Sequence, residues 1–199
     1  MKKSLARKLS VFFAGIVFIT CLVLVGLTVM IFGNIEDRMK DVLYENTLQS
    51  YKTEVKSEVQ SAISSIEYYY NLSDSGKIDE ATAKKDALEA LRNLRYGDDD
   101  SGYFWVDDTD YNLVMHPILP EQEGTNRYDL TDKNGVKIIQ SIMKTAESGG
   151  GFNEFYFTKS DGKTVAPKVA YSQKFDKWNW VITTGIYSDD IHEIVNKSD

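Results

Sequence analysis

One cysteine, three prolines and two histidines are spread over 199 residues. The only thiol, Cys21, lies inside an apolar run. The rest of the chain therefore has no disulfide, no cysteine-based zinc site and no cysteine nucleophile to offer. His116 and His192 are too few for a His-rich metal site. Also missing are Gly-x-Ser-x-Gly, a phosphate-binding loop, Gly-x-Gly-x-x-Gly and His-Glu-x-x-His. The triple glycine at 149–151 lacks the Lys and Ser/Thr of a phosphate loop and reads as a helix end. The acidic turn Asp107-Asp108-Thr109-Asp110 invites a calcium reading, but its spacing fails. Counted from Asp108, Leu113 stands where an EF-hand loop needs Gly and Leu119 where it needs Glu. No cofactor, no metal and no enzyme activity are expected.

Positive charge is scarce beyond the start. The formal net charge is −7, and the four cations Lys2, Lys3, Arg7 and Lys8 leave about −11 for the remainder. An acidic chain without a basic face does not fit nucleic acid. Charge is absent altogether from residues 9–35. At 1.5 Å per residue that run reaches about 40 Å, more than the ~30 Å of a hydrocarbon core. The preceding cations set the N-terminus in the cytoplasm and the chain from Glu36 onward outside. A cleaved signal peptide shares this basic-then-apolar grammar, but its apolar core is shorter and no small-x-small cleavage site comes promptly after the run. The expected organisation is a basic tail over 1–8, a transmembrane helix over 9–33, a membrane-proximal helix over 34–70 and a ligand-binding domain over 71–196 on which that helix packs.

The sequence after the apolar run is periodic. Residues 35–70 contain no Gly or Pro and repeat apolar side chains every three to four positions, including Val55, Val59, Ala62 and Ile66. The spacing predicts one long amphipathic helix, suited to lying across a sheet and to pairing with a second copy of the chain. Asp79 or Thr82 caps a second helix to about Arg95, with Leu88, Leu91 and Leu94 on one face. Two strands over 103–107 and 111–115 form a hairpin closed by His116-Pro117. A third helix fits 135–147. Three more strands fit 152–158, 164–175 (interrupted at Pro167) and 180–187, and Ser188 caps a last helix. Antiparallel hairpins with segregated helices make an α+β domain.

The chemically capable residues are binding groups, not a catalytic set. Arg95, His116 and Lys168 are cations beside sheet elements, and Tyr103, Trp105, Tyr128 and Tyr171 supply rings with polar tips. Converging on one cavity they would suit a small carboxylate, since charge-assisted hydrogen bonds strengthen where water is excluded. Each also has an ordinary structural use: Arg95 at a helix C-terminus, His116 at a strand end, Lys168 in solvent, Trp105 in the core. Parity separates Lys168 from Tyr171 unless a bulge near Pro167 shifts the register.

Several segments in order carry a family resemblance. Leu94-Arg95-Tyr96-Gly97, Gly102-Tyr103-Phe104-Trp105-Val106, Met115-His116-Pro117, Pro167-Lys168 with Tyr171, and the run 178–187 (WNWVITTGIY) resemble the single Cache domain. That family forms the extracytoplasmic sensor of bacterial methyl-accepting chemotaxis proteins and of some sensor kinases and cyclases. The resemblance implies a PAS-like antiparallel sheet with a long N-terminal helix and a small organic acid such as acetate, propionate, pyruvate or lactate as ligand; the helix pattern itself suggests the homodimer. It carries Arg95, Tyr103, Trp105, His116, Lys168 and Tyr171 into the pocket, with Tyr128 beside them. A ligand-free dimerisation or envelope-interaction module of the same fold is the alternative. Similar receptors continue into a second membrane helix near where this chain stops, which implies a fragment or a one-span variant.

Overall fold

A computed structural model describes residues 2–97, 100–159 and 161–197. The first 74 residues hold no proline and only Gly15, Gly26 and Gly33, and they form one helix, α1 (Lys2–Asp74). It passes the predicted end at Tyr70 because nothing breaks it before Gly76, whose φ is +72°. By contacts the chain divides into two units, Met1–Glu45 and Asn46–Asp199. The first consists of α1 residues, and its apolar side chains, among them Phe12, Val17, Leu24 and Val29, stand exposed. It includes a stretch long and apolar enough to cross a membrane.

In the second unit α1 buries Val55, Val59, Ala62 and Ile66, the 3.6-residue stripe expected of a helix lying on a sheet. α2 (Glu80–Asn93) starts at Asp79, whose carboxylate accepts from the Thr82 N–H at 2.9 Å. Its buried face is Ala83, Ala87 and Leu91; Leu88 is half-buried, and Leu94 lies past the helix end and is 40% exposed. The five strands are β1 (Trp105–Asp108), β2 (Leu113–Met115), β3 (Gly151–Thr158), β4 (Val165–Phe175) and β5 (Trp180–Tyr187). They form one antiparallel sheet in the order β2-β1-β5-β4-β3. α3 (Ile138–Glu147) and α4 (Ser188–Lys197) complete an α+β domain.

Three local differences have physical causes. The first hairpin is shorter than its sequence pattern, because Asp108 Oδ1 accepts from the N–H groups of Asp110 and Asn112 and draws Tyr111 into a turn with φ +68°. α3 begins three residues late, because Asp132 Oδ1 accepts from the N–H groups of Asn134 and Val136 and holds them in a turn. Pro167 does not interrupt β4. It sits opposite Tyr156, one residue before β4 gains its second neighbour at Lys168.

The core covers both sheet faces. On one, α1 and α2 pack over Phe104, Val106, Tyr171, Phe175, Trp180 and Ile182. On the other, α3 packs with Tyr103, Trp105, Leu113, Phe155, Phe157, Ala170 and Val181. The ladder is unbroken from Val165 to Phe175, so Lys168 shares the α3 face with Ala170, and Tyr171 joins the α1 face.

Candidate ligand-binding site

The α3 face gathers one buried polar cluster. Tyr103 comes from the segment just before β1, Trp105 opens β1, and His116 comes just after β2. Phe157 belongs to β3, Lys168 to β4 and Tyr187 to the end of β5. Register makes this possible: Lys168 pairs with Phe155 on one side and Tyr187 on the other. Lys168 is 1% exposed. Its ammonium donates to the hydroxyls of Tyr103 (3.1 Å) and Tyr187 (3.3 Å) and lies 4.2 Å from the Tyr103 ring centroid and 5.0 Å from that of Trp105. Trp105 stacks on Phe157 at 5.5 Å, and His116 lies 5.4 Å from the Tyr103 ring. Among the described residues no carboxylate pairs with Lys168. Burial alone pulls its amine from 10.5 down to about 7. The same burial pushes the Tyr103 phenol up to about 12.

His116 enters the site as a neutral donor. Its Nδ1 accepts from the N–H groups of Ile118 and Leu119, both at 3.1 Å, so the ring proton resides on Nε2. That Nε2 is buried with no partner among the described residues. Burial first, then the charges of Arg127, Lys168 and Arg92, hold the imidazole down to about 3. The sequence reading took His116 as a protonatable cation; its backbone acceptor role and its cationic neighbours keep it uncharged.

Arg127, from the loop after β2, forms a buried ion pair with Asp107 of β1. Burial pushes the Asp107 carboxyl up, and the guanidinium opposes it. Arg127 Nη1 is likewise buried without a partner among the described residues, whereas the Trp105 indole N–H is directed at the Asp107 carboxyl and helps hold it ionised. A buried donor left unpaired costs about 1–3 kcal/mol, so a cluster of them favours an incoming acceptor.

Of the seven residues singled out by sequence, Tyr103, Trp105, His116 and Lys168 come together. Arg95 instead donates to the carbonyls of Arg92 and Leu94 at 2.9 and 2.8 Å, closing the end of α2, although its charge still reaches the Tyr103 phenol. Tyr128 is 47% exposed and meets Tyr111 edge-on at 4.9 Å. Tyr171 lies on the α1 face against Phe152, with its hydroxyl donating to Gln173. Sequence reasoning passed over Arg127, Phe157 and Tyr187. Tyr187 joins Lys168 only through the β4–β5 register, and Arg127, in an irregular loop, gave no periodic signal.

Residues 47–199 match the family model "Single Cache domain 2". The chain belongs to the single Cache family. The Cache unit is a ligand-sensing module, found here with a long N-terminal helix and a five-stranded antiparallel sheet. A sensor histidine kinase of Rhizobium johnstonii, MctS, is 34% identical over 159 residues, covering 80% of this chain and 33% of that protein. The methyl-accepting chemotaxis protein McpP of Pseudomonas putida is 27% identical over 150 residues, covering 75% and 27%. The chain thus spans a third or less of the length of these two relatives. Among solved structures, the periplasmic sensor domain of a chemotaxis protein superposes with a TM-score of 0.67 at 32% identity, covering 70% of this chain and 96% of that one. A Cache chemosensory domain described for carboxylic acid recognition gives 0.67 at 26% identity, covering 72% and 97%.

Proposed function

We propose that this Cache domain is the extracytoplasmic sensor of a chemoreceptor-like or kinase-linked membrane protein. It binds a small monocarboxylate at Lys168 without chemical change and passes the binding event across the membrane through α1. The observation that carries the reading is the buried Lys168 ammonium, ringed by aromatics and lacking an anionic partner among the described residues. A carboxylate would take the place of a tyrosine hydroxyl at Nζ, restore the positive charge and accept from His116 Nε2. Charge-assisted bonds of this kind are worth about 1.5–3 kcal/mol each. Phe157 and Trp105, stacked at 5.5 Å, would face the ligand's apolar part. The relatives' names and the carboxylic acid recognition of one solved neighbour support the same reading. Signalling results if the ligand stabilises one arrangement of pocket and helix over another. A basic N-terminus followed by an apolar stretch supports an extracytoplasmic domain.

Isothermal titration with C2–C4 carboxylates tests the proposal. Acetate, propionate, pyruvate or lactate binds the native chain, and Lys168→Met weakens that binding at least about tenfold, or ~1.4 kcal/mol. If no carboxylate binds, the proposal is wrong, and a ligand-free dimerisation or envelope-interaction module of the same fold becomes the better reading.

A further inference from the structure

A carboxylate held by Lys168 and His116 leaves the guanidinium of Arg127 unused. The loop that carries Arg127 runs alongside β2. The Leu113 N–H donates to the Thr125 carbonyl at 3.0 Å, the Gly124 N–H to the Leu113 carbonyl at 2.7 Å and the Arg127 N–H to the Tyr111 carbonyl at 2.7 Å. To reach Asp107 on β1, the Arg127 side chain must therefore cross β2. It crosses on the α3 face, because Asp107 pairs with Val181 of β5, whose side chain belongs to the core on that face. His116 follows β2 on the same face, with its ring stacked 6.0 Å from that of Trp105.

The ion pair uses one edge of the planar guanidinium. Nε, at 3.1 Å, and Nη2 both donate to Asp107 Oδ1. Nη1 is left on the far edge, buried with no partner among the described residues, in a side chain only 4% exposed. The charge of Arg127 acts on His116 more strongly than that of Lys168 does, and it also pulls on the Tyr103 phenol. Its field thus reaches two of the groups that border Lys168.

Charge balance decides which acceptor suits Nη1. Asp107 already neutralises Arg127, whereas no carboxylate pairs with Lys168 among the described residues. One carboxylate therefore balances the site, and a second would be buried without a counter-charge. Arg127 Nη1 calls instead for a neutral oxygen. A carbonyl oxygen only accepts, while a hydroxyl brings a proton that needs an acceptor of its own.

We propose that Arg127 is a specificity residue that selects a 2-oxo monocarboxylate: the carboxylate meets Lys168 and His116, and the 2-oxo oxygen accepts from Arg127 Nη1. This rests on the carboxylate reading of the Lys168 site and narrows it. An unsubstituted acid fits the same place but leaves Nη1 a buried donor without an acceptor, and a site built around such a donor discriminates against that analogue. Asp107 acts as a positioning residue, since holding Nε and Nη2 fixes which edge of the guanidinium is offered.

The test is isothermal titration of the full chain in zwitterionic lipid nanodiscs with pyruvate, lactate, propionate and malonate, which share a three-carbon skeleton. Pyruvate binds at least about tenfold more tightly than propionate, and more tightly than lactate or malonate. Arg127→Lys keeps a cation opposite Asp107 but removes the forked donor, so the ratio of pyruvate to propionate affinity falls towards one. The double variant Asp107→Asn/Arg127→Met removes both buried charges together and lowers the ratio in the same way, so the outcome does not hang on one variant folding. A ratio unchanged in either folded variant overturns the proposal, as does lactate or malonate binding at least as tightly as pyruvate. If pyruvate and propionate bind equally, the assignment of Arg127 fails and the Lys168 site stands. If neither binds, the carboxylate reading itself fails.

Discussion

Replacing Lys168 by Met changes the pH dependence of stability in a direction fixed by burial. In the folded domain the amine is pulled down to about 7, while in the unfolded chain it titrates at the ordinary 10.5. Between those values the unfolded chain holds a proton that the folded chain lacks, so stability rises with pH across that window and is lost as pH falls back through 7. Each unit is worth about 1.4 kcal/mol, so moving from pH 7.5 to 9.5 adds roughly 2–3 kcal/mol to the native protein. For a domain of this size that is on the order of 5–10 °C in Tm. Met fills similar space among the same rings and carries no proton. Lys168→Met is therefore more stable than the native domain near neutrality, and its advantage shrinks by that amount at pH 9.5. Other groups titrate in both proteins and cancel in the difference. Urea unfolding of residues 46–199 followed by tryptophan fluorescence gives the comparison; that unit corresponds to solved relatives whose chains are matched over 96% and 97% of their length. Saturating acetate fixes the charge on Lys168 and flattens the native slope. Parallel pH profiles for the two proteins would refute the buried-amine account.

The same geometry sets two further outcomes. Acetate affinity stays flat between pH 5.5 and 6.5, since His116 is held down to about 3 and Lys168 is already charged, and it then falls above pH 7 as Lys168 loses its proton. A step in calorimetric affinity near pH 6.5 would instead mark His116 as a titrating ligand. Gly185→Ala destabilises the domain by about 1–3 kcal/mol, because its Cβ would lie 2.7 Å from the Ala170 Cα in the neighbouring strand, where backbone must move. A midpoint within error of native in urea would show that β4 and β5 can separate at no cost.

Sequence by itself determined the elements whose signals are local. The uncharged run over 9–35, the helical spacing of Val55, Val59, Ala62 and Ile66, the Asp79 cap and the glycine-marked turn at 149–151 all appear in the structure near where residue chemistry puts them. Parity also separated Lys168 from Tyr171, and the unbroken β3–β4 ladder keeps them on opposite faces. Tertiary structure alone decided which side chains meet. Tyr187 reaches Lys168 through the β4–β5 register, a pairing across 19 positions that no local period encodes. Arg127 comes to the site from an irregular loop because Asp107, buried on β1, needs a counter-charge. The charge of His116 was likewise settled outside its own sequence neighbourhood, by burial among cations and by two backbone donors on its Nδ1. Composition places a histidine and a lysine in the chain. Only the folded environment makes the first a neutral donor and leaves the second a buried amine without an anion.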